Sequence, residues 1–498
     1  MSITVFLLAL AGLQGSDLDL DQFVTELLSA ADAPAAEVTR RESPSGVVSE
    51  LSFRGDSSSL GLPPGFRTVF QDGLVRTKEL ADRWVLFFEG AESREAARLE
   101  LVRGPGGVHS YTGTWTRPRS PGFVDVTADL LALEPETARA LSLGVDELRE
   151  ALDPRVGLPL VGHVAGLAAG DLDDDGRTDL YVCAPGGVAN RVLVHGEGNR
   201  ARDASAELGL DVLDASRSAM IADISGDGKN DLWLTLGDEL IGFERAPSGR
   251  YEVAVRLPGD ATTSMAAADV DLDGQLDTYV CGYANPYEGG SVPLPYHDAE
   301  NGVANDLWRG LGAWGFERAG KRFGLDVNNA RFSFAAAFVD FDEDGDPDLY
   351  VANDFGRNNL FENQSGRGFL DVAEVYGVED VAAGMGVTFG DLDLDGDEDL
   401  YVANMFSAAG NRVSGAEGFR ETDDESTRSL YRRHAKGNSF FERREADGVV
   451  SFHEKSRELG IDVGWWSWGV RALDADTNGA LDLAVPAGMI TRSDPDDL

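Results

Sequence analysis

The chain is predicted to be all-β: a β-propeller of six sequence-visible four-stranded blades, with room for a seventh, plus a small N-terminal α+β region. Three observations predict it. A nine-residue acidic pattern, D-x-[DSN]-x-[DN]-G-x-x-D, recurs six times, from Asp171, Asp223, Asp269, Asp340, Asp391 and Asp474. The intervals of 52, 46, 71, 51 and 83 residues describe a unit of about 50 residues with two insertions, a period typical of propellers and arrays. Short apolar runs of strand length flank the patterns, so each loop joins strands.

The nine-mer carries the chemistry of a hard cation. Calcium takes six to eight oxygens at roughly 2.3–2.6 Å. Carboxylates at positions 1, 3 and 5 of a tight loop converge on one point. Gly at position 6 permits the turn, position 7 offers its backbone carbonyl, and Asp at position 9 closes the shell. The predicted ligands are Asp171, Asp173, Asp175, Arg177 and Asp179 in loop one, and Asp223, Ser225, Asp227, Lys229 and Asp231 in loop two. Loop three offers Asp269, Asp271, Asp273, Gln275 and Asp277, and loop four Asp340, Asp342, Asp344, Asp346 and Asp348. Loop five has Asp391, Asp393, Asp395, Asp397 and Asp399, and loop six Asp474, Asp476, Asn478, Ala480 and Asp482. Ser225 and Asn478 keep an oxygen but lose a charge, so their loops are expected to bind more weakly. The expected cofactor is Ca2+, up to six ions, in a structural role.

An EF-hand begins similarly but needs a Glu at position 12 and flanking helices. Here position 12 is Cys183, Thr235, Cys281, Ala352, Ala403 and Pro486. Positions 10 to 12 read as strand, as in Leu180-Tyr181-Val182, Leu232-Trp233-Leu234, Leu349-Tyr350-Val351 and Leu400-Tyr401-Val402. Runs such as Phe332–Val339 and Met385–Phe389 supply the strand before the loop. A second line, Phe369-Leu370-Asp371-Val372-Ala373 with Gly377 behind it, returns from Phe316 to Gly324, Phe452 to Gly460 and, more loosely, Ala201 to Gly209. A third reads Asn359–Asn363 and Asn438–Glu442. Each unit thus holds four strands, the content of a propeller blade. The last unit stops soon after Leu483-Ala484-Val485. Phe123–Thr127 resembles the outer-strand line and is expected to complete that blade.

Leu349–Phe355, Asn359–Asn363, Gly384-Met385-Gly386-Val387 and Ser467-Trp468-Gly469 carry a family likeness. The chain resembles the FG-GAP/VCBS-type propellers, most of all the cartilage acidic protein branch and its bacterial relatives, over residues 120–498. The resemblance implies a secreted calcium-binding propeller with a role in adhesion or interaction and no established catalysis. Such relatives often add a C-terminal ASPIC/UnbV domain that is not seen here, so a shortened or cut member is expected.

Composition agrees. Asp and Glu number 87 against 43 Lys and Arg, a net −44 over 498 residues. That charge disfavours nucleic acid and anionic lipid. Six calcium ions would bring it to −32. Residues 1–15 are expected to be a signal peptide, with the apolar core Ile3–Ala11 but no basic residue before it. No later run approaches the ~20 apolar residues of a membrane helix. The expected location is secreted, periplasmic or cell surface. Residues 16–120 are expected to form a small α+β cap or extra blade, and 121–498 the propeller. In the cap, Leu20, Phe23, Val24, Leu27 and Leu28 have helical period. Asp72-Gly73 marks a hairpin, and Trp84–Phe88 and Ala97–Val102 read as strands. Glu134–Leu152 reads as a linking helix. Arg54-Gly55-Asp56 has no context to make it functional, and Asn363-Gln364-Ser365 matters only if the source glycosylates. Cys183 and Cys281, at the same position of units one and three with a whole unit between them, read as buried free thiols.

The two insertions, 285–305 and 405–436, leave the same end of their units and are expected to bind an extracellular protein or glycan, with the protein a monomer and no nucleic acid or membrane insertion involved. Trp465, Trp466 and Trp468 are read as core. No H-E-x-x-H, G-x-S-x-G or phosphate loop is present, and no activity is expected. The competing reading is a calcium-dependent polysaccharide lyase or hydrolase with His297 or Tyr296 as base beside a calcium.

Overall fold

The computed structural model describes residues 127–141 and 166–488 apart from 197–199, 285, 287–289, 447 and 476–478, and the backbone of six earlier strands. The predicted signal segment, the helix from residue 17, Arg54-Gly55-Asp56 and residues 123–126 lie outside them. The chain divides into two compact units, Met1–Val126 and Thr127–Leu498.

In the first unit β1 (Glu37–Ser43), β2 (Gly46–Ser52), β3 (Gly73–Glu79), β4 (Arg83–Gly90), β5 (Ala96–Gly104) and β6 (Gly107–Thr116) form one antiparallel meander in chain order. β4 and β5 fall on the predicted strands. Of the hairpin expected at Asp72-Gly73, residues 69–72 lie outside the described residues; β3 starts at Gly73 and has β2 and β4 as its neighbours.

The second unit is a propeller-like succession of antiparallel sheets. Sheet one holds β7 (Leu167–Gly170), β8 (Asp179–Val182), β9 (Arg191–His195) and β10 (Ala201–Asp203). Sheet two holds β11 (Ser218–Ala222), β12 (Asp231–Thr235), β13 (Glu239–Arg245) and β14 (Tyr251–Pro258). Sheet three holds β15 (Thr262–Ala268), β16 (Asp277–Gly282), β17 (Asp306–Gly310) and β18 (Phe316–Arg318). Sheet four holds β19 (Ser333–Val339), β20 (Asp348–Asn353), β21 (Asn359–Asn363) and β22 (Phe369–Asp371). Sheet five holds β23 (Gly384–Gly390), β24 (Asp399–Asn404), β25 (Ser439–Ala446) and β26 (Val449–Glu454), and β27 (Arg471–Leu473) pairs with β28 (Asp482–Ala484). The first strand of each sheet lies against the first strand of the next, from β7 to β27.

The sequence explains the layering. Second strands such as β16, β20 and β24 are buried at every residue, because each sheet is covered on both faces by its neighbours, and they read as unbroken apolar runs rather than alternations. Sheets one and two meet around Tyr181, Leu232 and Phe243, sheets three and four around Tyr279, Phe323 and Phe361, and sheets four and five around Phe341, Leu400 and Phe441. Cys183 and Cys281 sit free and buried in two of these cores, and burial pushes each thiol up to about 12. The strand-two tyrosines end on a buried asparagine from the start of the third strand. Asn190, Asn305, Asn358 and Asn438 donate to the hydroxyls of Tyr181, Tyr279, Tyr350 and Tyr401 at 2.9–3.1 Å.

Short helices fill the joints: α1 (Thr127–Leu130), α2 (Pro135–Leu141), α3 (Ser205–Leu208), α4 (Ala373–Tyr376), α5 (Ala408–Ser414), α6 (Glu425–His434) and α7 (Ser456–Leu459). The glycine of the second recurring line ends such a turn: Gly209, Gly377 and Gly460 cap α3, α4 and α7 at φ 76, 71 and 73°, the left-handed C-cap that glycine adopts without strain. α1 starts four residues after Phe123, as α4 starts four after Phe369. Leu131 behind it packs on Leu193 and Ala201 of sheet one.

Two expectations change. Residues 405–436, read as an open loop, hold α5 and α6. Ser407 Oγ accepts the Gly410 N–H at 3.0 Å and Asp424 Oδ1 that of Thr427 at 2.7 Å, so both helices have a side-chain N-cap. None of the three tryptophans is fully buried. Trp465 is 51% exposed, because the run lies in irregular backbone before β27, where Trp466 and Trp468 pack at a tilt on each other and Trp468 on Phe334.

Candidate metal centres

Each acidic loop leaves its first strand and turns at positive φ, through two such residues in loops one to five. Position 6 is one of them, with Gly176, Gly228, Gly274, Gly345, Gly396 and Gly479 at φ 83–101°. Position 4 is the other: Asp174, Leu272, Glu343 and Leu394 lie at φ 60–66° and Gly226 at 78°. Only Gly226 signalled that second turn in the sequence. The bend lets the position-1 carboxylate accept N–H groups from within its own loop. Asp171 takes those of Asp175 and Gly176, Asp269 those of Asp273 and Gly274, Asp340 that of Gly345, and Asp391 that of Asp395. The position-5 carboxylate in turn accepts the position-7 N–H, as Asp273 does from Gln275 at 3.0 Å.

Among the described residues, four loops bring three carboxylate oxygens within 4.8 Å of one another. In loop one they come from Asp171, Asp173 and Asp179. In loops three, four and five they come from positions 1, 3 and 5: Asp269, Asp271 and Asp273; Asp340, Asp342 and Asp344; Asp391, Asp393 and Asp395. Loop two has Asp223, Ser225 and Asp227 around the same turn, with both Asp223 oxygens accepting loop N–H groups. In loop six Asp474 accepts the Gly479 N–H and Asp482 that of Ala475. Asp476 and Asn478 lie outside the described residues. The cationic side chains of Arg177 and Lys229 are not metal ligands in kind, which leaves the backbone carbonyl as the oxygen donor of that position, whereas Gln275 also has an amide oxygen.

Position 9 does a second job that the spacing did not reveal. In loops one, three, four and five its carboxylate is buried and accepts backbone N–H groups from position 2 and from the third strand. Asp277 takes Val270 at 2.9 Å and Gly310 at 2.8 Å. Asp348 takes Phe341 at 3.1 Å and Asn363 at 2.7 Å. Asp399 takes Leu392 at 3.2 Å and Arg443 at 2.9 Å. Asp179 takes Leu172 and His195, both at 2.8–2.9 Å. These aspartates therefore fasten the loop to its sheet. Burial, against those hydrogen bonds, pushes Asp231 and Asp277 up to about 6, Asp399 to about 7 and Asp348 to about 8.

The loops fit a cation in two ways. Asp173, Asp342 and Asp393, all at position 3, are raised first by burial and then by neighbouring carboxylates, which is the cost of crowding like charges. In addition, Asp271 Oδ1 and Asp346 Oδ1 are buried without any hydrogen-bond partner. Asp271 is 9% exposed at its side chain and Asp346 is 4% exposed. An all-oxygen set of this kind suits Ca2+ or Mg2+. Loop three also has an arginine beside it: Arg309 of β17 bonds Asp271 Oδ2 through Nε and Asp273 Oδ2 through Nη2, each at 2.5 Å.

At the other end of the strands the two insertions meet. Tyr296 stacks on Tyr431 of α6 with parallel rings 6.2 Å apart, and touches Phe355 at 5.2 Å and His434 at 5.0 Å edge-on. His297 lies 4.9 Å from Tyr431. Asp298 joins Arg331 at 2.7 Å and Arg357 at 3.0 Å, and Arg357 holds Glu379 at 2.9 Å. The first insertion, the β20–β21 connection and α6 thus form one surface, and Val292 and Leu294 of the first insertion are exposed. His434 is buried among these rings, and burial, with Arg433 beside it, pushes its pKa down to about 4. His297 and Tyr296 are not beside an acidic loop. Six residues of β16, about 20 Å of strand, separate the end that bears the first insertion from Asp277. The sequon Asn363 is 1% exposed and its amide is committed to Val270 O and Pro347 O, so it is no acceptor for a glycan.

Residues 340–402, from the fourth loop through β24, match the sequence model of the FG-GAP-like repeat. The chain is 26% identical over 271 residues to cartilage acidic protein 1 of Xenopus tropicalis, and 27% identical over 275 residues to that of Mus musculus. Each match takes in 48% of this chain and 40% of the relative, less than half the relative's length. Among solved structures, an Agrocybe aegerita lectin described as recognising non-reducing terminal N-acetylglucosamine is 13% identical, at TM-score 0.34 over 85% of this chain and 90% of that one. That score is too low to bear on fold or ligand.

Proposed function

We propose that the chain, which matches the FG-GAP-like repeat over residues 340–402, is an extracellular binding module whose propeller-like unit is held by calcium. Calcium sits in the acidic loops at one end of the strands. The insertions 285–305 and 405–436 at the other end engage a protein or a glycan. The observation that carries the first half is the convergence of three carboxylates within 4.8 Å in four loops, with buried oxygens of Asp271 and Asp346 left unpartnered. Such groups repel one another until a divalent ion neutralises them, so binding energy becomes folding energy. The observation behind the second half is that Tyr296 and Tyr431, from separate insertions, pack together on a fixed scaffold.

No described helix is long and apolar enough to cross a membrane. The proposed location is secreted, periplasmic or cell surface. Calorimetric calcium titration, with melting followed in calcium and in chelator, tests the first half: several sites and a higher melting temperature in calcium are expected, and no shift would overturn it. Capture of glycans or surface proteins by immobilised protein, lost on deleting 405–436 while melting is retained, tests the second. Capture that survives the deletion would overturn the assignment to this surface.

A further inference from the structure

We propose that loops three, four and five bind calcium as one coupled group, linked by Asn363 and Arg443, and that the coupling stops between loops two and three. The proposal rests on the calcium reading above and adds how occupancy of one loop is felt at the next.

A continuous hydrogen-bonded relay runs along the loop end of these sheets. Asp277 Oδ2 accepts the Val270 N–H. The Val270 carbonyl, at position 2 of loop three, accepts from Asn363 Nδ2 of sheet four at 3.0 Å. The Asn363 backbone N–H donates to Asp348 Oδ1 at 2.7 Å, and Asp348 Oδ2 accepts the Phe341 N–H at 3.1 Å. The Phe341 carbonyl, at position 2 of loop four, accepts from Arg443 Nε of sheet five at 2.7 Å. The Arg443 N–H then donates to Asp399 Oδ1 at 2.9 Å, and its Nη1 to Asp397 Oδ2 of loop five at 2.7 Å. Arg443 Nη2 also lies 3.2 Å from Glu343 of loop four. Every link is the same: position-9 carboxylate, position-2 peptide, third-strand side chain of the next sheet.

The linking side chains are nearly inaccessible, Asn363 1% and Arg443 2% exposed, so water cannot substitute for them readily. The turn after Asn363 adds a second tie. Ser365 N–H donates to Asp346 Oδ2 at 2.8 Å, while Gly366 is so close to Asp271 that an added Cβ would lie 2.9 Å from its carbonyl oxygen. Asp271 and Asp346 each have a buried, unpartnered oxygen, as does Asp397 of loop five, which Arg443 bonds through its other oxygen. A cation drawing in the oxygen of Asp271 or of Asp346 therefore pulls on the segment that contacts the other. In sheet three the residue whose N–H meets the position-9 Asp is Gly310, which has no side chain to reach loop two. Loops one and two are tied separately, through the Tyr251 hydroxyl on Leu172 O and Asn230 O and through Asn230 Nδ2 on Asp171 O.

Coupling free energies between sites of this kind commonly change affinity by about 5- to 150-fold. The test uses the full chain, with stoichiometry and affinities read by competition against a chromophoric calcium chelator. Asp342→Asn disables loop four directly. The expected result is loss of that site together with weakening of two others by about fivefold or more. Asp227→Asn, in loop two, is expected to leave those affinities unchanged. Asn363→Ala, which removes no ligand, is expected to flatten the binding curve without lowering the number of ions bound at saturation. Melting in saturating calcium checks that the variants fold. If Asp342→Asn removes one site and leaves all others at wild-type affinity, the coupling is refuted and the calcium reading stands. If the wild-type protein binds no calcium, both fall.

Discussion

Replacing Asp348 by Ala isolates what a position-9 aspartate does apart from any metal. The side chain is 1% exposed, and its two oxygens accept the N–H groups of Phe341 at 3.1 Å and Asn363 at 2.7 Å. Alanine leaves both donors buried with no acceptor. Each orphaned group costs about 1–3 kcal/mol, so the loss is about 2–6 kcal/mol. The aspartate's own burial offsets part of this, since its carboxyl is pushed up to about 8 and is held partly protonated near neutrality. The cost is therefore expected near the lower end at neutral pH. Urea unfolding of wild type and variant should be run both in excess calcium and in chelator. A fastening role predicts that most of the loss persists in chelator. A loss seen only in calcium would mean that Asp348 acts through the ion alone, and no loss in either would refute the hydrogen-bond accounting.

Three further outcomes are expected. In chelator, the protein should lose stability as pH rises from about 4 to 8: Asp231, Asp277, Asp399 and Asp348 are raised to about 6, 6, 7 and 8, so the folded state holds protons that the unfolded chain has released. Excess calcium should flatten or reverse that slope, and melting temperature against pH in the two buffers checks it; a flat profile in chelator would contradict the assigned burial. Arg309→Met removes the guanidinium that bonds Asp271 and Asp273 and should lower melting temperature in chelator, where nothing else neutralises loop three, by more than it does in saturating calcium. Tyr431→Ala breaks the contacts with Tyr296 and His297, each aromatic pair being worth about 0.5–1.5 kcal/mol. Faster proteolytic cleavage within 405–436, with calcium stoichiometry unchanged, is the expected result.

Much of the architecture was legible because it repeats. Six copies of one nine-mer place the loops, the runs on either side place the first and second strands, and the Phe-to-Gly line places the outer strand and its capped turn. Less was legible where the determinant is a contact across sheets. Asn363 looked like a sequon because the triplet Asn-x-Ser is defined by three neighbours in sequence, whereas its amide is committed to Val270, 93 positions earlier. Arg443 sat in an unremarkable charged stretch, yet its reach to Phe341 spans 102 positions. The position-4 turn was missed because non-glycine residues in the left-handed region leave little trace in composition.

Residue identity and spacing alone therefore determined where oxygen-rich turns occur, which segments are strands and which class of cation such turns suit, since those follow from backbone geometry and ligand chemistry within nine consecutive residues. Only the packed unit decided that position-9 aspartates act as buried acceptors, that two insertions lying over 100 positions apart form one surface, and that His297 stands a strand's length from the acidic loops. Burial, desolvation and cross-sheet hydrogen bonds depend on which neighbours the chain brings from a distance, and no local pattern encodes them.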